Sequence, residues 1–346
     1  MKKLPFIVGV LALVIIAFYV IQPDDKAASQ SLRVAISPYQ DLAMLTAHEH
    51  LGLEAKYKID LEVVTLAWEN VIPSLASAGH TVDIGFGSLI EFLTKYENIN
   101  SDATDPLVYV YPAYVFKGGG FISFNSDVPN LDDELPPKAG RLRDFFSYRI
   151  GAQKNSMYDM MLFSLLKDAG LNLNQAKIID TTMGDGILAA QAGSLDAAAA
   201  GLTQRNEALE RGGRVVVTMD KHGFADLTGI ICKKSTLDKR REDIEKFIRI
   251  WFESVDYVYK DIDKNSRIPL EYLSRASSTQ YTVETYKRAL EAEYLPRSVG
   301  EAKQMMISNE GDFSIGRISN NVIGYLVSQN IVKNAPPIPV PIAMEP

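Results

Sequence analysis

The sequence predicts a two-lobed α/β protein in which each lobe is a mostly parallel sheet flanked by helices. Its 346 residues exceed what one hydrophobic core usually holds. Strand patterns alternate with helical patterns along most of the chain, as they do in parallel α/β sheets. A unit of helix, glycine, short turn, apolar residue, aspartate and buried strand also occurs twice, at residues 75–85 and 188–198. We therefore expect two similar lobes, with one larger sheet as the alternative.

The N-terminal residues 1–29 are predicted to be a signal peptide or a membrane anchor. Lys2 and Lys3 precede an apolar run at residues 6–21, and small residues at 27–29 offer a cleavage site. The run is longer than a usual signal core, yet shorter than the ~20 residues that span a bilayer comfortably. Cleavage and retention therefore both stay open. No cysteine lies near this segment, which excludes attachment through a lipidated N-terminal cysteine.

Composition narrows the possible partners. The chain carries 36 basic and 43 acidic residues, and no basic stretch is dense enough to neutralise phosphates. We therefore expect no nucleic-acid partner. Cys232 is the only cysteine, so no internal disulfide is possible, and its apolar neighbours predict a buried thiol.

The first part of the chain alternates strands with helices, beginning with a strand in which apolar and polar residues alternate. The order of strand and helix then repeats before a further apolar run. The predicted elements are a strand at 32–36, a helix at 41–56, a strand at 59–64, a helix at 70–78, and strands at 82–86 and 107–111.

A comparable unit follows residue 148, and Gly170 is expected to end its first helix. Residues 127–140 contain three prolines and are expected to form a surface insertion. The predicted elements of this unit are a strand at 149–152, a helix at 157–169, a strand at 176–180, a helix at 186–192 and a strand at 195–200.

We expect the lobes to be joined by two crossing strands, because residues 121–125 and 228–232 each lie where one lobe's pattern stops. Three consecutive glycines, at 118–120, are interpreted as a flexible joint. A helix at 241–259 has apolar residues at core spacing, and the Pro-rich tail should form an extended arm. The predicted boundaries are lobe one at 30–118 and 226–334, lobe two at 119–225 and the tail at 335–346.

The sequence lacks the usual signatures of catalysis. No P-loop and no Gly-x-Gly-x-x-Gly follows a strand, and no nucleophile elbow is present. His48 and His50 are two residues apart on a predicted helix, whereas paired helical metal ligands need i, i+4 spacing. We therefore expect no enzyme activity, no cofactor and no metal site.

Binding chemistry is indicated at the C-terminal ends of the predicted strands, where open α/β sheets place their ligands. Ser88, Asn155 and Ser156 precede helices, so each has the alternative role of an N-cap, although helix starts also bind anions. Trp68 has the alternative role of a core residue. The predicted ligand-binding residues are Tyr39, Gln40, Trp68, Gly87 and Ser88 in lobe one, and Asn155, Ser156, Met157, Thr203 and Gln204 in lobe two.

Several segments carry a resemblance to a known family. These are residues 32–52, 75–88, 143–145, 149–152, 155–156 and 189–196, with Phe247 and Trp251. Over about residues 32–332 the chain resembles the nitrate/sulfonate/taurine and thiamine-pyrimidine substrate-binding proteins of ABC importers. It departs from them at Phe145-Phe146-Ser147, where relatives have Leu-Lys-Gly. It also has the insertion at residues 127–140, and it lacks the cysteine-rich motif of the pyrimidine-synthesising branch.

The resemblance implies a type II periplasmic-binding-protein fold, with a ligand held between two lobes by hinge closure. Family contacts map onto Gln40, Trp68, Ser88, Asn155 and Ser156. The implied ligand is a small molecule, either anionic like a sulfonate or nitrate, or pyrimidine-like. The implied partner is a membrane permease, and we expect a monomer in the periplasm or on the outer face of the cytoplasmic membrane. A membrane-anchored sensor or accessory module, and an enzyme on the same fold, are the alternatives.

Overall fold

The computed structural model describes residues 31–77, 79, 81–100, 104–277, 280–308, 311 and 313–345, with only the backbone of Thr203. The predicted leader at residues 1–29 lies outside these ranges, as do Ala78 and His80. Within the described ranges, no helix is both long and apolar enough to cross a membrane.

The first sheet has six strands. Two of its three parallel members are buried because helices cover the sheet, whereas the third lies at the sheet edge and is partly exposed. The strands are β1 (Leu32–Ile36), β2 (Leu61–Thr65), β3 (Ile84–Ser88), β4 (Leu107–Phe116), β10 (Asp226–Lys233) and β11 (Glu293–Tyr294). Their order is β11-β4-β10-β3-β1-β2. Strands β1, β2 and β3 run parallel, whereas β10 pairs antiparallel with both β3 and β4.

The second sheet repeats this plan with five strands. They are β5 (Gly120–Ser123), β6 (Arg149–Ala152), β7 (Lys177–Asp180), β8 (Ala197–Ala200) and β9 (Arg214–Thr218). Their order is β7-β6-β8-β5-β9, with β6, β7 and β8 parallel and β5 antiparallel to β8 and β9. Each sheet therefore has a core of three parallel strands beside an antiparallel strand, and the predicted two-lobed α/β class is confirmed.

Helices surround both sheets. Those before the second sheet are α1 (Ala47–His50), α2 (Leu53–Tyr57), α3 (Trp68–Ala76), α4 (Leu89–Thr94) and α5 (Tyr96–Ile99). Those around the second sheet are α6 (Ala139–Phe146), α7 (Met157–Ala169), α8 (Met183–Gln191) and α9 (Leu202–Glu210). The chain then adds α10 (Lys234–Lys239), α11 (Arg241–Lys260), α12 (Ile262–Asn265), α13 (Arg267–Ala276), α14 (Val283–Glu291), α15 (Val299–Ala302) and α16 (Ile315–Ser328) around the first sheet.

The core of lobe one is centred on α11. The apolar residues predicted at helical spacing on this helix are all buried, and Trp251 packs against Phe86 of β3 with ring centroids 4.8 Å apart. Cys232 of β10 is fully buried in the same core, as predicted. Burial raises the pKa of its thiol to about 12, so the residue has a structural role.

The chain passes between the lobes at residues 117–119 and again at 219–225. The predicted crossing strands are themselves sheet members, since β5 belongs to the second sheet and β10 to the first. The glycines here are needed for close packing. A Cβ on Gly119 would lie 2.4 Å from the sulfur of Met219, and one on Gly120 would lie 2.3 Å from the carbonyl oxygen of Val217.

The helical stretch predicted at residues 41–56 is helical but is broken into shorter pieces. The segment divides into a 3₁₀ turn (Leu42–Thr46) and the short helices α1 and α2. Gly52, between the two helices, has a φ of 62°, a left-handed conformation that ends the first helix and turns the chain.

The C-terminal tail is extended, in agreement with its proline content. The N–H of Ile342 donates to the carbonyl of Val110 on β4 at 3.0 Å, and the side chains of Ile342 and Met344 are buried in the core of lobe one. The tail therefore packs along the first lobe.

Candidate functional site

A cavity of about 460 Å³ lies between the two lobes. Its volume is within the range of roughly 300–1,000 Å³ that small-molecule sites occupy. Lobe one contributes Tyr39, Gln40, Asp41, Trp68, Glu69, Ser88, Glu91, Lys95, Tyr114, Phe116, Asp226 and Thr228. Lobe two contributes Gln153, Ser156, Met157, Tyr158, Thr182, Met183, Gly184, Ala199, Gly201, Leu202 and Gln204.

Ser88 and Asp226 form the base of the cavity on lobe one. Ser88 ends β3 and is the N-cap of α4, where its hydroxyl accepts the N–H of Glu91 at 3.0 Å. The same hydroxyl donates to the carboxylate of Asp226, which also accepts the N–H of Ile90 at 3.2 Å. These bonds form because Asp226 begins β10, which pairs with β3. The protein's own side chains therefore occupy the start of α4.

Two buried carboxyl groups of lobe one face this cavity. Burial raises the pKa of Asp226 to about 7, although the hydrogen bonds from Ser88 and Ile90 act in the opposite direction. Burial likewise raises the pKa of Asp41 to about 6, against the hydrogen bonds from Tyr114 and the Leu42 N–H. Both groups therefore titrate near neutral pH.

Tyr39 and Trp68 form an aromatic wall. Tyr39 follows β1 and Trp68 begins α3, and their ring centroids are 6.0 Å apart. The indole N–H of Trp68 donates to Glu91 at 3.3 Å, and Lys95 contacts the other oxygen of Glu91 at 3.3 Å. Trp68 is half-buried, so part of its ring is available to a ligand.

Gln40 lines the cavity, but contacts within lobe one hold its side chain. Its amide N–H donates to the buried carboxylate of Glu293 at 3.0 Å, and its amide oxygen accepts the hydroxyl of Tyr281 at 3.4 Å. The hydroxyl of Tyr286 donates to its backbone carbonyl at 2.8 Å. Gln40 therefore fixes the loop after β1.

The described residues of lobe two that line the cavity carry no charge, and they form the lobe-two wall. Several of them lie at the start of α7. Ser156 is the N-cap of α7, with its hydroxyl donating to the carbonyl of Gln153 at 2.6 Å and accepting the N–H of Asp159 at 3.4 Å. Tyr158 is also on this wall, and its buried hydroxyl has no hydrogen-bond partner among the described residues. This hydroxyl is a group that a ligand could satisfy.

Seven of the ten predicted ligand-binding residues line the cavity: Tyr39, Gln40, Trp68, Ser88, Ser156, Met157 and Gln204. Gly87 is buried inside β3, where a Cβ would lie 2.7 Å from Ile231, so it serves strand packing. Asn155 is exposed, with a φ of 58°, and its N–H donates to Asp159 at 3.0 Å instead of facing the cavity. The side chain of Thr203 lies outside the described residues.

Three acidic residues of the cavity, Asp41, Glu91 and Asp226, were missed in the sequence. Asp41 and Glu91 lie close in sequence to Gln40 and Ser88, so the same strand-end rule could have found them. The sequence indicates Asp226 less clearly, since it is only an aspartate at the start of the mainly apolar strand β10. No group of three or more His, Cys, Asp or Glu side chains suited to a metal occurs within the residues that the structure describes.

The sequence was compared with models of protein families and with curated protein sequences. Residues 139–264 match the model of the NMT1/THI5 like family, which confirms the family resemblance. No curated protein sequence matches the chain.

Solved structures share the fold at low sequence identity. The periplasmic aliphatic sulphonate binding protein SsuA from Escherichia coli has a TM-score of 0.65 and 16% identity, over 88% of this chain and 94% of that chain. The CA3427 gene product of Candida albicans, described as having the generic periplasmic binding protein fold, has a TM-score of 0.63 and 13% identity, over 88% and 92%. The periplasmic nitrate-binding protein NrtA from Synechocystis PCC 6803 has a TM-score of 0.55 and 15% identity, over 75% and 69%. The chain therefore has the periplasmic binding protein fold.

Proposed function

We propose that this protein is the extracytoplasmic solute-binding component of an ABC importer. In this role it captures a small molecule between its lobes and delivers it to a membrane permease. The observation that carries the proposal is the cavity of about 460 Å³ to which both lobes contribute side chains. The family match and the fold shared with periplasmic sulphonate- and nitrate-binding proteins support the same role.

The proposed mechanism is closure of the lobes on the ligand. The ligand first contacts the aromatic wall of Tyr39 and Trp68 on lobe one, beside Ser88. Lobe two then brings Ser156 and Tyr158 against its other side and excludes water from the cavity. Binding shifts an existing balance between open and closed forms, by an amount set by the ligand's preference for the closed form.

The role of Gln40 in this mechanism is to hold the loop after β1, since its side chain is bonded to Glu293 and Tyr281. Ser88 and Ser156 cap their helices and line the cavity, where their side chains contact the ligand. Met157 and Gln204 contribute the adjoining surface of lobe two.

We further propose that the protein works as a monomer outside the cytoplasm and is not an enzyme. Two of the named neighbours, SsuA and NrtA, are binding proteins, which supports retention of the solute rather than its conversion. The predicted leader at residues 1–29 supports export, by cleavage or as an anchor.

Native mass spectrometry of protein purified without added ligand tests the proposal. We expect one small solute to copurify, to be recovered chemically unchanged after incubation, and to be taken up by host cells only when the gene is intact. Conversion of the solute to a product would contradict the binding role, and unchanged uptake in a deletion strain would contradict the transport role.

A further inference from the structure

The cavity has an uneven distribution of charge. Its lobe-one wall carries four carboxyl groups, from Asp41, Glu69, Glu91 and Asp226. Among the described lining residues Lys95 is the one cation, and it lies 3.3 Å from Glu91. The lobe-two wall contains no charged residue in the part of the chain that the structure describes. Above pH 7, where Asp41 and Asp226 are ionised, the charge that a ligand meets is therefore negative and comes from lobe one.

This charge disfavours an anion. A sulfonate or nitrate near Asp226 and Glu91 would meet charges of its own sign, and closure would strengthen the repulsion because it removes water. The N–H groups of Ile90 and Glu91 at the start of α4 are also engaged, by Asp226 at 3.2 Å and by Ser88 at 3.0 Å. The sulphonate- and nitrate-binding neighbours share the fold, but the carboxyl groups of this wall disfavour an anion here.

The aromatic wall fits the same conclusion. Tyr39 and Trp68 present π surfaces beside the carboxylates, and ring faces attract cations by about 0.5–2 kcal/mol. The indole N–H of Trp68 is directed to Glu91, which holds the ring next to that carboxylate. Burial and then the negative charge of Glu69, Asp41 and Glu91 raise the pKa of the Tyr39 hydroxyl. The electrostatic field at this wall is therefore negative.

We propose that the ligand is an organic cation, with a protonated amine or other basic nitrogen on a flat or ring-shaped body. The cationic nitrogen lies against the carboxylates of lobe one, and the body lies between the aromatic wall and the uncharged surface of lobe two. Tyr158, whose buried hydroxyl lacks a partner within the described residues, provides a hydrogen bond to a polar group on the body. This inference rests on the proposed solute-binding function and specifies its substrate class.

Three probes of nearly the same shape test the charge preference: 2-phenylethylamine as the cation, 2-phenylethanol as the neutral form and 2-phenylethanesulfonate as the anion. Calorimetry at pH 7.5 should show the amine binding at least about tenfold more tightly than the alcohol, a difference of about 1.4 kcal/mol, and the sulfonate binding most weakly. The double variant Glu91→Gln/Asp226→Asn should reduce the amine's affinity by about tenfold or more and leave the alcohol's nearly unchanged. Glu62→Gln, an exposed charge change on β2, is the matched control and should leave both affinities unchanged.

The proposal would be overturned if the sulfonate or the alcohol bound more tightly than the amine, or if the amine did not bind at millimolar concentration. It would also be overturned if the double variant bound the amine as well as the Glu62→Gln control does. Tight binding of the sulfonate, or copurification of an anion, would overturn the cation preference while leaving the solute-binding function intact. Circular dichroism of each variant separates loss of charge from loss of folding.

Discussion

The hydroxyl of Tyr325 donates a hydrogen bond of 2.9 Å to the carboxylate of Asp159. Tyr325 is on α16, which packs on lobe one, and Asp159 is in the first turn of α7 in lobe two. The ring of Tyr325 also contacts Phe163, with centroids 5.1 Å apart. The same carboxylate oxygen accepts the N–H of Asn155 at 3.0 Å. This contact therefore ties the two lobes together beside the loop that precedes α7.

Removing the Tyr325 hydroxyl should loosen closure. Tyr325→Phe keeps the ring contact with Phe163 but loses a hydrogen bond worth about 0.5–1.5 kcal/mol. We expect ligand affinity to fall about two- to tenfold, and small-angle scattering to show a larger mean radius of gyration. The control is Tyr272→Phe, whose hydroxyl is 3.1 Å from Thr65 and on the same lobe. An equal loss of affinity in both variants would contradict a role in closure.

Trp68→Ala should weaken ligand binding without unfolding the protein. The ring is half-buried at the cavity edge, so its removal takes away stacking surface worth about 0.5–1.5 kcal/mol beyond the buried area, and leaves little core cavity. Calorimetry should show affinity lower by about tenfold with a nearly unchanged melting temperature. Trp251→Phe, in the centre of lobe one, should lower the melting temperature and leave the ligand affinity nearly unchanged. Unchanged affinity in well-folded Trp68→Ala protein would remove this residue from the site.

Ser88→Ala should lower stability more than Ser156→Ala does. Loss of an N-cap costs about 0.5–2 kcal/mol, and the Ser88 change also removes the hydroxyl that donates to buried Asp226. The cap bond of Ser156 is longer, at 3.4 Å. Urea unfolding of the two variants measures the difference. An equal or smaller loss for Ser88→Ala would show that Asp226 does not depend on this hydroxyl.

The raised pKa of Asp226 makes a prediction for stability against pH. The folded group has a pKa of about 7 against an ordinary value of 3.8, so between these values the folded state keeps a proton that the unfolded state has lost. Its contribution to stability is therefore fully present below pH 4 and is lost as pH rises to 7. Glu91, Tyr109 and Tyr158 are the other titratable groups whose charges interact with it.

Asp226→Asn tests this dependence, because asparagine keeps the shape and cannot ionise. The unfolding free energy of the variant should fall less between pH 5 and pH 7.5 than that of the unmodified protein, by about 1–3 kcal/mol. Denaturant unfolding at the two pH values gives both slopes. Parallel curves for the two proteins would mean that Asp226 is already ionised at pH 5.

Local sequence signals predicted the elements best where a helix or strand has clear ends. The strand at β1 and the helix α7 were predicted to the residue, because alternation marks the first and Gly170 closes the second with a φ of 66°. The stretch at 41–56 is helical as predicted, but it is broken because Gly52 takes a left-handed conformation between α1 and α2.

The candidate site was predictable to the extent that parallel strands bring their C-terminal ends together. Tyr39, Trp68 and Ser88 follow three neighbouring strands, and they lie around one cavity. Asp226 could not be placed in this way, because it is 138 residues from Ser88 and reaches it through antiparallel pairing of Thr228 with Ser88. The contribution of Asp226 to the negative charge of the wall depends on this long-range pairing.

Closure of the lobes over this cavity is the step by which we propose that the protein captures a small molecule. Electron paramagnetic resonance distances between spin labels at Glu62→Cys on β2 and Lys177→Cys on β7 test it most directly. Both positions are exposed on the edge strands of their sheets, and buried Cys232, with a thiol pKa of about 12, should not take up label. We predict that the solute recovered from the purified protein shortens the distance between the lobes, and that Trp68→Ala needs about tenfold more solute for the same change. A distance that stays the same while the solute binds would contradict the account.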